Sequence, residues 1–139
     1  MTGLKQKMMV LLAALVVAAP AVAETQTYNI DASHSSVGFA VKYLAITNVT
    51  GNFQNFEGTI NYDPKKIKKS SVNVSIAAAS VNTANASRDE HLRKEDFFHV
   101  GQHPKITFVS KKIKKKKDGF IATGDLTMRG NTQEIDIPF

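Results

Sequence analysis

Ser87–Pro104 reads SRDEHLRKEDFFHVGQHP. Charge, histidine and large apolar residues crowd together here as nowhere else after residue 24. Ser87 and Glu90 have the spacing of a capping box, in which a serine oxygen accepts the N–H three residues on and the acid reaches back. A short helix is expected over Arg88 to Glu95, with Leu92 its one strong apolar residue. Asp89 and Glu90 fall in its first turn, where the positive end of the helix dipole favours acids. Asp96-Phe97-Phe98 follows, and Gly101 and Pro104 end anything helical. A helix this short does not stand alone in water. Its two following phenylalanines need a host surface, and only the flanking segments can supply one.

Those segments alternate with period two. Val37, Phe39, Val41 and Tyr43 share one side of Ser36–Tyr43, and Phe56, Gly58, Ile60 and Tyr62 one side of Phe56–Tyr62. Val72, Val74, Ile76 and Ala78 repeat the pattern in Ser71–Ala79. This is the signature of strands with one covered face. Thr27–Asp31 is a shorter candidate, Thr50-Gly51-Asn52 a turn signal, and Asp63-Pro64 a strand end. Lys105–Ile113 and Gly119–Met128 form a hairpin around Lys117-Asp118-Gly119, because Asp-Gly supplies the positive φ of a tight turn. Beyond Arg129-Gly130-Asn131, Thr132–Phe139 alternates through Ile135 and Ile137. The expected fold is all-β: an antiparallel barrel or sandwich of about seven short strands with one helical excursion. The sequence stops in mid-strand at Phe139, so the closing strand is expected to be missing and the product truncated. An open edge would also let two copies pair as a homodimer.

Residues 1–23 read as an address. Lys5 and Lys7 give a positive start, Met8 to Ala19 is an apolar run too short to span a bilayer, and Ala21-Val22-Ala23 is a cleavage site. A signal peptide over 1–23, cleaved before Glu24, predicts a single periplasmic domain over 24–139. Cleavage removes two lysines and lowers the formal charge from +6 to +4. There is no cysteine, which excludes thiol catalysis, thiolate metal sites and disulfides. The domain must be held by its own core.

Two lysine runs stand out: Lys65-Lys66-Ile67-Lys68-Lys69 in a loop, and Lys111 to Lys117, broken only by Ile113, leading to a hairpin tip. They read either as solvated, anti-aggregation surface or as an attraction to anionic lipid headgroups. Nucleic acid is not implied, because no aromatic residues are interleaved. His99 and His103 have a chelating i, i+4 spacing, but Gly101 lies between them and no further ligand cluster is legible, so no metal and no cofactor are expected. His34 reads as a turn residue. Serine, histidine and aspartate are present without a GxSxG elbow, so no catalytic residues are assigned. Phe39, Phe56, Phe97, Phe98, Phe108 and Phe120, with Val41, Ile60, Ile76 and Leu126, are candidates to line an apolar pocket. Small residues interleave with them at Gly58, Ala78, Ala122 and Gly124. On the inner wall of a barrel such residues leave room for a long apolar ligand.

These residues resemble the YceI-like family of exported, lipocalin-like lipid-binding proteins. The resemblance runs from Tyr28-x-Ile30-Asp31-x-x-His34-Ser35-x-Val37-x-Phe39-x-Val41 through Val49-x-Gly51-x-Phe53-x-x-Phe56-x-Gly58 to Ser80-Val81-x-Thr83. It continues in Arg88-Asp89-x-His91-Leu92, Asp96-Phe97-Phe98, Pro104-x-Ile106-Thr107-Phe108 and Gly124-x-Leu126-Thr127-x-x-Gly130-x-Thr132. Tyr43, Ala45 and His99 depart from it: the family often has histidine, glycine and an acid there. Family members also run on through a closing strand. The resemblance implies an antiparallel barrel holding a polyisoprenoid or similar long-chain amphiphile, without catalysis. Removing such a tail from a bilayer is close to neutral in hydrophobic energy, so affinity falls on shape and the polar head. Arg88 and His91 are the candidates for the polar mouth of the pocket. The competing readings are a ligand-free interaction or stress-response module, and a hydrolase using His34 or His91.

Overall fold

The structure, a computed structural model, describes residues 25–139. The expected signal peptide and its cleavage site lie outside the described residues. The elements in order are β1 (Gln26–Asn29), β2 (Val37–Tyr43), β3 (Thr47–Phe53), β4 (Phe56–Tyr62), β5 (Ser71–Ala77), β6 (Val81–Asn82), α1 (Ala86–Leu92), β7 (Lys105–Lys116), β8 (Gly119–Met128) and β9 (Asn131–Pro138). The fold is all-β and antiparallel with one helix. Two strands were not expected, β3 and β6.

The strands form a six-stranded sheet, β1-β4-β5-β7-β8-β9, and a three-stranded one, β2-β3-β6. Their registers join the two. Tyr28 faces Ile60 and Val37 faces Phe53, so β1–β2 and β3–β4 are two arms of one long bent hairpin. Phe56 faces Ile76 and Phe53 faces Val81, so β5–β6 follows the same bend. At the bend Ser80 Oγ accepts the Asn55 N–H at 3.0 Å and donates to the Ala77 carbonyl at 2.7 Å. Within the described residues β9 pairs only with β8, so the six strands do not meet in a ring.

Thr50-Gly51-Asn52 is not a turn but the middle of β3. The reversal is made by Leu44 and Ala45, whose φ values of 49° and 59° are left-handed. Gly51 is required for a different reason: a Cβ there would lie 2.9 Å from Thr83 Cγ2, under the ring of Phe39. Close approach, not chain reversal, is what this glycine supplies.

β7 carries a bulge. Ser110 faces Gly124, yet Lys112 faces Thr123, so Lys111 is an extra residue. The bulge switches the inward positions from Ile106, Phe108 and Ser110 to Ile113. Ile106, Phe108 and Ile113 are all buried. Ser110 Oγ accepts the Val72 N–H at 2.8 Å. Lys111 turns outward to Asp125 at 2.6 Å and Glu134 at 3.1 Å, and these carboxylates, Asp125 first, raise its pKa above the usual lysine value.

Two apolar clusters fill the concave side. One lies at the bend: Phe53, Phe56, Ile76, Ala78, Val81 and Ile106, with Phe39, Leu92 and Phe98 against it. The other lies under β5, β7 and β8: Val72, Phe108, Ile113 and Ala122, with Ile60 and Phe120. Val74 and Leu126 touch both. The small inward residues are not empty space. Ala78 and Ala122 are fully packed, Ile30 Cδ1 would be 2.7 Å from a Cβ on Gly58, and the Phe108 ring covers Gly124. Neighbouring side chains take the volume that the sequence pattern offered to a ligand.

Candidate functional site

The open apolar space lies instead at the end of the large sheet where β1 begins and β7 meets β8. A groove of about 360 Å³ is lined by Tyr28, Ile60, Tyr62, Ser70, Val72, Ile113, Phe120 and Phe139. Tyr28, Ile60 and Val72 sit side by side on β1, β4 and β5. Phe139 is held against Phe120 by backbone bonds of 2.9 and 3.0 Å, and their rings stack at 5.6 Å. Tyr62 meets Phe120 edge-on at 6.1 Å. The one small polar group in the lining, Ser70, accepts the Asp63 N–H at 3.0 Å. No acid, cation or imidazole lines the groove. A second hollow, about 450 Å³, has a mixed lining with Asn29, Glu57 and Asn73, and suits hydrocarbon less well.

The loop beside the groove is built rather than loose. Asp63 is buried, and its carboxylate accepts the N–H groups of Lys65 and Lys66 at 3.0 and 2.8 Å. Ile67 packs under the second cluster. The first lysine run is thereby pinned at the groove end, and the second reaches the same end along β7.

Of the candidate pocket residues, Ile60 and Phe120 line the groove, and Phe108 and Leu126 lie in the cluster beneath it. Phe39, Phe56, Ile76 and Phe98 pack at the bend. Val41 and Phe97 stand outside both clusters, 56% and 46% exposed. The adjacent phenylalanines therefore part company. Phe98 meets Phe53 edge-on at 5.6 Å, whereas Phe97 meets the His91 ring at 5.0 Å on the surface. Tyr28, Tyr62, Val72, Ile113 and Phe139 were not singled out as pocket residues. Alternation had already put Tyr62 and Val72 on the inner face, and that was the usable signal.

The helix is capped differently from the sequence expectation. It starts at Ala86, and Asn85, extended at φ −144°, accepts the Arg88 N–H at 3.0 Å. Ser87 is thus inside the first turn, where its N–H and hydroxyl no longer occupy cap positions. Asp89 does more than favour the dipole. It is buried, and its Oδ1 accepts the Thr83 N–H at 2.9 Å and the Thr83 hydroxyl at 2.6 Å. Arg88 donates to Thr83 Oγ1 at 2.7 Å and the Thr83 carbonyl at 2.8 Å. Arg93, unremarked in the sequence, donates to the carbonyls of Ala79 at 2.7 Å and Val81 at 3.0 Å. Two guanidinium groups thus tie the excursion to the edge at β6. Arg88 and His91 stand at the opposite end of the β5–β6 arm from the groove. His91 reaches Asp96 at 3.4 Å on the surface.

The other histidines are local. The His99 and His103 rings are 5.9 Å apart, and among the described residues no three histidine, cysteine or acidic side chains gather as a metal site. His34 Nδ1 lies 2.7 Å from Asp31 Oδ2. That contact, then the Ser33 N–H, holds the Asp31 carboxyl below its usual pKa.

The YceI-like domain family matches residues 28–139. A UPF0312 protein of Photorhabdus laumondii is 34% identical over 88% of this chain and 64% of its own length. Protein YceI of Escherichia coli O157:H7 is 37% identical over 86% of this chain and 63% of its own. The chain thus spans a little under two thirds of the length of these relatives. Among solved structures, Burkholderia cenocepacia BcnA superposes with a TM-score of 0.71 at 26% identity, covering 78% of this chain and 69% of that one. The Campylobacter jejuni YCEI protein gives a TM-score of 0.60 at 40% identity over 78% of this chain and 64% of that one.

Proposed function

The chain belongs to the YceI-like family and shares its lipocalin-like fold, and from that premise we propose that it binds a polyisoprenoid or similar long-chain amphiphile. The observation that carries the reading is the groove at Tyr28, Ile60, Val72, Ile113 and Phe120: an open apolar surface on an otherwise closely packed concave face. Hydrocarbon laid there gains dispersion contacts from four aromatic rings and branched aliphatic side chains. The role is carriage without catalysis, since the lining offers no acid, imidazole or lysine to move a proton. The proposed setting is the periplasm, reached through the cleaved leader over residues 1–23. No helix among the described residues is long and apolar enough to cross a membrane.

The test is native mass spectrometry of the exported protein, followed by organic extraction and identification of what co-purifies. One long-chain lipid per chain is expected, absent from an Ile60→Glu variant that still folds. A protein free of apolar ligand, or one whose lipid persists in that variant, would refute the groove. Edman sequencing of the same sample should begin at Glu24.

A further inference from the structure

The end of the sheet that holds the groove also holds both lysine runs, and no fold requirement placed them together. β4 leaves the groove at Tyr62 and returns as β5 at Ser71, so Lys66, Lys68 and Lys69 hang at this end. β7 and β8 turn at Lys117-Asp118, so Lys114 to Lys117 hang there too. Lys115 faces Phe120 across the ladder, on the side of the sheet that carries Ile113 and the groove. Lys111 is held by the carboxylates of Asp125 and Glu134. Among the described residues, Lys66, Lys68, Lys69 and Lys114 to Lys117 form no ion pair. The nearby buried acid, Asp63, is turned inward to backbone N–H groups.

We infer that this lysine-rimmed end docks on an anionic lipid bilayer, with the groove mouth held at the headgroup layer. Charge complementarity decides the occupant. Unpaired ammonium groups on two separate segments outnumber the exposed carboxylate of Asp118 in the turn and present a predominantly positive rim around the aromatic side chains. An anionic leaflet is the extended surface that answers both, with its negative headgroups and an interface where tyrosine and phenylalanine rings settle. The lysine stems also lie comfortably along apolar surface while their heads stay wet. Docking places the groove mouth where an amphiphile's tail can pass without crossing water. Only that last step rests on the proposed binding function; the docking itself does not.

The experiment is sedimentation of the chain with phosphatidylglycerol–phosphatidylcholine vesicles, beside vesicles of phosphatidylcholine alone. Binding is expected on the anionic vesicles only, and should fall as salt is raised. The triple variant Lys114→Gln, Lys116→Gln, Lys117→Gln should lower partitioning on the order of a hundredfold, at roughly fivefold per lysine near such a surface. A control, Lys42→Gln, Lys94→Gln, Lys105→Gln, removes the same charge away from this end and should change it little. Equal losses in the two triples would mean that net charge alone attracts the protein, and would overturn the oriented docking. A second readout needs no lysine replacement. The chain has no cysteine, so Asp118→Cys and Arg129→Cys each take one environment-sensitive dye. A blue shift on anionic vesicles is expected at residue 118 and not at 129, the turn at the far end of β8. A shift at both or neither refutes the inference, as does a shift at 118 produced by inorganic phosphate and not by vesicles. Docking without lipid uptake would leave this inference standing and remove the carrier reading.

Discussion

At the helix end of the molecule, Arg88 and Arg93 direct their N–H groups at Thr83, Ala79 and Val81, and Asp89 is buried beneath Thr83. At the groove end, lysines stand beside aromatic rings with no carboxylate to answer most of them. The difference follows from what each end leaves open. β6 is two residues long and has a strand on one side only, so its neighbourhood exposes backbone carbonyls. A planar guanidinium matches such acceptors with several fixed donors, and an ammonium does not. The β7–β8 end has a complete ladder and therefore nothing for a cation to repair. Charge adjoining an unfinished ladder completes structure, whereas charge adjoining a finished one is available to a partner.

This contrast can be broken in graded steps. Phe98→Ala should cost about 3 kcal/mol by urea denaturation, the low end for a core phenylalanine. Phe97→Ala should cost under about 1 kcal/mol, because that ring lies on the surface. Equal costs would mean that the excursion does not seat Phe98 against Phe53 as described. Next in size is Asp89→Ala, at about 2–3 kcal/mol, since it strips a charged acceptor from a buried N–H and hydroxyl. Arg88→Ala should cost about 1 kcal/mol and leave bound lipid per folded chain unchanged. Loss of lipid with an unaltered melting temperature would return Arg88 to the ligand. Lys114→Gln, Lys116→Gln and Lys117→Gln should each shift stability by less than about 0.5 kcal/mol. The smallest effect is electrostatic and local. His34→Ala should let the Asp31 carboxyl titrate back up toward its usual value in a carbon-detected NMR titration. Because folding lowers this pKa, its contribution to stability is present above about 3.8, the usual value, and is lost as pH falls through the folded one.

Strand positions were legible because period-two alternation is strong in Phe56–Tyr62 and Ser71–Ala77, where one face is core. β3 was missed because Thr47–Phe53 is polar at most positions and carries a Thr-Gly-Asn triplet that mimics a turn. The capping box was misplaced by two residues: Asn85 and Ser87 are both good caps, and Thr83 beneath Asp89 decides between them only in three dimensions. The pocket was legible in kind and not in place. Ile60 and Phe120 were found by alternation, but the vacancies inferred at Gly58 and Gly124 are filled by Ile30 and Phe108. Sequence pattern shows which side chains face inward and cannot show which of them fill each other's space.

The bulge at Lys111 acts on β7 as a change of reading frame acts on a message. Upstream, even-numbered residues face the core; downstream, odd-numbered ones do. If Lys111 paired in register instead of bulging, the downstream frame would turn Lys112, Lys114 and Lys116 into the apolar interior and expel Ile113, whose side chain is almost wholly buried. Bulging one lysine out of the ladder, where Asp125 and Glu134 clasp it, thus keeps a strand that is mostly lysine compatible with a hydrophobic sheet. Deleting Lys111 would leave Ser110 opposite Gly124 and Lys112 opposite Thr123, so Ile113 should stay inward and only the ion pairs to Asp125 and Glu134 be lost. A second deletion, of Lys112, would set Ile113 opposite Thr123 and turn it out of the core. The strand therefore has one residue to spare at this point and no more.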